Sequence, residues 1–187
     1  MITRHSHMLH RWWARLTAVI MSAALALGLS LAVSTPSQAQ TSMGKKEYLQ
    51  LLAAQEKLSY DVLMDLAEVH DRGPFVIMAR AEERDLKRIR RLLRLHGWED
   101  LTKGDVMGEF THFPTMEQMY EDMLTDGQYT VGDGARVGIA LQQITLATIY
   151  ELQDFKLLRR DRARINETRS YSLQRMATFL RTVSIYG

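Results

Sequence analysis

Beyond residue 44, apolar residues recur at helical spacing through most of the chain, and no stretch alternates with the period of a strand. Leu51, Leu58, Val62, Leu66 and Val69 share one face of a helix predicted over about residues 45–70. Phe75, Met78, Leu86, Ile89 and Leu93 define a second over about residues 75–96. It is opened by Pro74 in the turn "DRGP" and stopped by Gly97. The stretch from Trp98 to Pro114 reads as a loop. Thr115 and Gln118 form a capping-box pattern at the head of a short helix, "TMEQMYEDML". After the turn-rich "DGQYTVGDG", a fourth helix is predicted over about residues 135–158. It is apolar nearly all round, which implies burial on most sides. "RRDRARIN" reads as a charged break or kink before a last helix over about residues 165–183, with Ile165, Met176, Phe179 and Val183 inward. Four long helices with a short one in the longest connection predict an all-α four-helix bundle, two hairpins joined by a crossover.

Polar residues interrupt those apolar stripes. Gln55 lies in the middle of the first stripe, with Glu56 well to its side. Glu82 is central in the second, Asp85 is near it, and Glu83 points outward. The fourth helix carries Gln142, Gln143, Thr145 and Thr148, and Ser172 is central on the last. Each long helix thus brings a polar group inward near one level of the bundle. Polar residues at stripe edges would account for Asp85 and Thr148, but less well for Gln55, Glu82 and Ser172. Two carboxylates three residues apart on a helix face could be half of a metal site or ordinary surface charge. Their inward position argues against the second.

The N-terminal third changes the picture of charge. Arg4, Arg11 and Arg15 precede the apolar run Thr17 to Val33, and "STPSQAQ" then offers small residues for a cut after Ala39. That order predicts a secretory signal peptide over residues 1–39, a mature domain over 40–187 and a periplasmic or secreted location. The alternative is an uncleaved membrane anchor. Of 24 basic residues three fall in the leader, which leaves 21 against 22 acidic ones. The apparent basicity therefore belongs largely to the leader, and nucleic acid is not an indicated partner. With no cysteine there is neither a disulfide framework nor a thiolate metal site.

Other chemistry is sparse. His70, His96 and His112 are the histidines beyond the leader and show no ligand spacing. "RDLKRIRRLLR" places Arg84, Lys87, Arg88, Arg91 and Arg94 outward, and "KLLRRDRAR" adds a second basic run. A solvated face explains such runs, and docking on anionic lipid headgroups is the sharper alternative. No nucleophilic triad or phosphate-loop pattern is present.

In order and spacing, five segments resemble a bacterial ferritin-like domain family of unknown function. They are "AQEKLSYDVL", "ARAEERDL", "VGIALQQITL", "YSLQRM" and the crossover "GEFTHFPTMEQMYEDMLTDG". The resemblance covers about residues 48–182 and implies a ferritin-like four-helix bundle, often paired as a homodimer. In that superfamily, glutamates and Glu-x-x-His pairs hold two metal ions. Carried over, the first-helix glutamate position matches Gln55, with Glu56 beside it. The Glu-x-x-His matches Glu82 and Asp85, and the paired acids of the fourth helix match Gln142 and Gln143. The acids that follow match Thr145 and Thr148, and the last-helix histidine matches Ser172.

Neutral groups have thus replaced most metal ligands, and a dinuclear site needs anionic oxygens and imidazoles. The expectation is a bundle without a cofactor and without an enzymatic role, acting as a binding or structural module for an unknown protein or small molecule. The alternative is an iron or manganese oxidase or storage protein with an atypical ligand set. A single weakly held hard cation on the carboxylates Glu82 and Asp85 and on Gln55 lies between the two.

Overall fold

In a computed structural model, residues 43–71 and 74–187 are described. The predicted leader, whether cleaved or retained as an anchor, lies outside the described residues. Among these, five helices and no strand form: α1 (Lys45–Val69), α2 (Phe75–Leu95), α3 (Pro114–Gly127), α4 (Val131–Gln153) and α5 (Arg159–Tyr186). No described helix is long and apolar enough to cross a membrane.

Local chemistry explains the ends. Gly97 adopts φ +67, a left-handed conformation that costs glycine little, and its N–H bonds the Arg94 carbonyl while Trp98 N–H bonds that of Leu93. This paired closure satisfies the last carbonyls of α2. Thr130 caps α4 by accepting from Asp133 N–H at 3.0 Å. The predicted box at Thr115 and Gln118 does not form: Phe113 is the cap of α3, Pro114 opens the helix, and the Gln118 amide bonds Asp122 instead.

Three boundaries differ from expectation. α4 begins at Val131, so "VGDG" is helix; its glycines serve close packing. A Cβ on Gly134 would lie 2.8 Å from the Phe75 ring, and one on Gly138 would lie 2.7 Å from that of Phe179. The chain breaks after Gln153, not at "RRDRARIN", which forms the first turns of α5. There Asp161 is fully buried and bonded to His96 Nε2 at 2.8 Å.

α1 packs antiparallel to α2, and α4 antiparallel to α5, with α1 also lying along α4. The end of α1 meets the start of α4, where His70 bonds the Gly127 carbonyl at 2.7 Å, while Tyr48 reaches Glu151 at the other end. The crossover helix α3 rests on α1 and α4, and α2 and α5 touch least among these neighbours. Being covered by three helices, α1 is buried nearly all round, from Leu52 through Ser59 without a break. The single-face expectation therefore fails at its margins: Leu51 is half-buried and Val69 is exposed. Met78, Met176 and Val183 are also only half-buried. An apolar layer that includes Leu49, Leu52, Ile89, Leu93, Ile149 and Ile165 fills one end of the bundle. Phe75 stacked on Phe179, with Leu66, fills the other. Each such side chain contributes about 1.5–3 kcal/mol by leaving water.

Candidate functional site

Between the apolar layers, all four long helices direct polar side chains to one point. Glu56 comes from α1, Glu82 and Asp85 from α2, Gln142 from α4, and Ser172 and Arg175 from α5; each is at most 5 % exposed. Glu56, Glu82 and Asp85 each offer an oxygen within 4.8 Å of the others. Such a group of acids needs compensating charge, and Arg175 supplies it. Its Nε lies 3.0 Å from Glu82 Oε1 and its Nη1 2.7 Å from Asp85 Oδ2. Arg175 Nε also donates to Gln142 Oε1 at 3.1 Å, and Nη2 donates to Ser172 Oγ at 3.2 Å. Gln142 Nε2 in turn donates to Glu82 Oε1 at 2.7 Å. On the outer side, Arg88 pairs with the second Asp85 oxygen.

The proton inventory follows from burial. Loss of water raises the Glu56 carboxyl well above its ordinary value, and the negative charges of Glu82 and Asp85 push it further, against Arg175. Burial also raises Glu82, but Arg175, a hydrogen bond from Glu56 and the Gln142 amide pull the other way. Burial alone would lower Arg175, yet Glu82, Glu56 and Asp85 outweigh it and hold the guanidinium above its usual range. Glu56 is therefore the acid of the three most strongly biased toward its protonated form. Two guanidinium groups face Glu82 and Asp85, so that a proton on Glu56 leaves the core close to neutral.

The sequence-selected residues are only partly united. Glu82, Asp85, Gln142 and Ser172 meet as expected. Glu56, expected to the side, is fully buried within the cluster, because α1 has no free side at that level. Gln55 is buried, but its Oε1 has no hydrogen-bond partner among the described residues. Gln143 is exposed, so the two adjacent amides do not act together. Thr145 and Thr148 are buried on α4. Arg88, expected outward, turns back onto Asp85 with its side chain 26 % exposed. Sequence reasoning missed Arg175. It lies three residues after Ser172, close enough on the helix to share its face, and that was the available signal.

The histidines stay apart from the cluster: His70 and His96 serve the helix ends already described, and His112 is exposed. Among the described residues, Glu82 and Asp85 thus find guanidinium and amide partners, with no imidazole beside them, while neither Glu56 oxygen accepts a hydrogen bond. A divalent ion there would share Glu82 and Asp85 with Arg175.

The sequence profile of the uncharacterized protein domain DUF2202 matches residues 45–183, which is every helix of the bundle almost to its last turn. The chain belongs to the DUF2202 family. Among proteins similar to this DUF2202 chain is Uncharacterized protein MJ0754 of Methanocaldococcus jannaschii, 26% identical over 105 residues. The match spans 56% of this chain and 56% of that relative, so it covers little more than half of the relative's length. The crystal structure of hypothetical protein MJ0754 from Methanococcus jannaschii superposes with a TM-score of 0.69 at 23% identity, covering 83% of this chain and 86% of that one. At that identity the likeness shows a shared fold.

Proposed function

We propose that this DUF2202 domain is an exported, ferritin-like bundle in which an internal arginine–carboxylate cluster stands where related bundles hold two metal ions. On this reading it serves as a binding or structural module rather than as an oxidase or a metal store. The carrying observation is the Arg175 guanidinium ion-paired with both Glu82 and Asp85 in the bundle centre. A chain-borne cation there supplies the positive charge that buried carboxylates require, and it takes oxygens a metal would use. Export rests on the order of charge, apolar run and small residues over 1–39.

The alternative, an iron or manganese protein with an atypical ligand set, draws on the close approach of the Glu56, Glu82 and Asp85 oxygens. Elemental analysis of the protein as isolated, before any reconstitution, decides between them. We expect iron and manganese well below one ion per chain. Two tightly held ions per chain, lost in Glu82→Ala, would overturn the proposal.

A further inference from the structure

Where α2 and α5 pack least closely, a cleft of about 370 Å³ opens beside the buried cluster. Its walls are two facing helical stripes. On α2 the stripe includes Ile77, Ala81, Arg84 and Arg88, at spacings of four, three and four residues. On α5 it includes Tyr171 and Arg175. Three guanidinium groups therefore line the cleft against one carboxylate, Asp85, whose two oxygens are already held by Arg88 and Arg175.

The arginines are not equivalent. Arg175 is fixed by Glu82, Asp85 and Gln142. Arg88 is held over the Tyr171 ring at 4.9 Å, with a looser approach to Glu167 at 3.6 Å. Arg84 is exposed and makes no ion pair among the described residues, so its charge is available. The other end of the α2 stripe is apolar and open: Ile77 is 67% exposed, with Met78 and Ala81 beside it in the lining. A concave site of this volume lies at the small end of the ligand-binding range. Along α2 it has a cationic end and an apolar end, and Gln174 and Thr178 complete the α5 wall.

We propose that this cleft binds a small amphipathic carboxylate, its head on Arg84 and Arg88 and its apolar part along Ile77, Met78 and Ala81. Guanidinium forks match a carboxylate in a planar, two-bond geometry, which Arg84 can offer, while Arg88, kept in place by Asp85 and the Tyr171 ring, adds its charge. The excess of cation in the lining favours an anion, and the apolar end favours one with a hydrocarbon portion. This inference rests on the reading of the domain as a binding module. The two are separable, because metal content tests that reading and cleft occupancy tests this one.

The experiment is a titration of the isotopically labelled protein with octanoate, followed by amide chemical shifts. Octanol probes the tail alone and inorganic phosphate the anion alone. We expect saturable octanoate shifts confined to residues 77–88 and 171–178, with octanol and phosphate each at least tenfold weaker. Arg84→Glu, which disturbs no ion pair among the described residues, should weaken octanoate at least tenfold, and Ile77→Ser more modestly. Absence of saturable shifts in these segments would overturn the proposal. So would equal binding of octanol, or octanoate binding untouched by Arg84→Glu.

Discussion

Two buried groups of charged side chains meet at adjacent residues of α1, Glu56 and Lys57, and they solve the same problem differently. Lys57 and Asp61 are 4 % and 2 % exposed and pair within one helix at i, i+4. Lys57 Nζ also donates to the Val106 carbonyl at 2.7 Å and lies 4.4 Å from the Phe110 ring centroid. Asp61 Oδ2 accepts from Gly108 N–H at 3.0 Å. Here one acid meets one base, and their spare hydrogen bonds fasten the crossover. Tyr120 adds a bond from α3 to Asp65 one turn further on. The central cluster instead has three acids from two helices, and its bases are Arg88 on α2 and Arg175 on α5. Its balance rests on Arg175 and on a Glu56 carboxyl that burial and its acid neighbours bias toward the protonated form. The local pair pins a loop to a helix; the central one ties helices that are distant in sequence. Burial raises the Asp61 carboxyl too, but Lys57 and the Gly108 amide oppose the rise.

The contrast can be broken most forcefully at Arg175. Arg175→Ala strands the Glu82 charge in the core and leaves Asp85 with Arg88 alone, and we expect a loss of about 3–5 kcal/mol in urea unfolding at pH 7. Replacing Arg175, Glu82 and Asp85 together by Met, Gln and Asn should recover most of it. A loss below about 1 kcal/mol for the single variant would mean that the cluster does not depend on its arginine.

Lys57→Met should cost less, about 2–3 kcal/mol, since Asp61 keeps its backbone donor. Its mark should be local: amide exchange should quicken over residues 105–110, with α5 unchanged. Uniform quickening would erase the distinction between the two pairs.

The smallest effect concerns the shared proton. Burial and the neighbouring acids raise the Glu56 pKa in the fold above its value in the unfolded chain. The unfolded state thus binds fewer protons, and stability falls as pH rises from the ordinary carboxyl range up to the raised folded value. Glu56→Gln removes the Glu56 share of that slope, leaving the smaller ones of Glu82 and Asp61. We expect it to be more stable than the parent at pH 7–8, by an amount on the order of 1 kcal/mol, and the gain to vanish near pH 4. A parent and variant with parallel pH profiles would place the proton elsewhere.

The bundle was largely legible because α1 and α2 have strong apolar periodicity and clear stop signals. The start of α4 was not, because glycines that read as a turn are there to admit Phe75 and Phe179. The start of α5 was hidden by a charged run whose acid, Asp161, is buried against a histidine from α2. In the site, Glu82, Asp85, Gln142 and Ser172 were visible as polar interruptions of apolar stripes. Glu56 was not, since one-face reasoning fails for a helix covered on three sides. Arg175 was hidden by its type: a long cationic side chain is assigned to water unless a buried partner is already in view.

The placement of that guanidinium has a consequence for how the fold meets its surroundings. A cation borrowed from solution adds to stability in proportion to the logarithm of its free concentration, so such a core is only as secure as its supply. A cation carried on α5 arrives with the chain, one per molecule. The free energy of its pairing contains no concentration at all. Chelators, metal starvation and a change of compartment leave that contribution where it was.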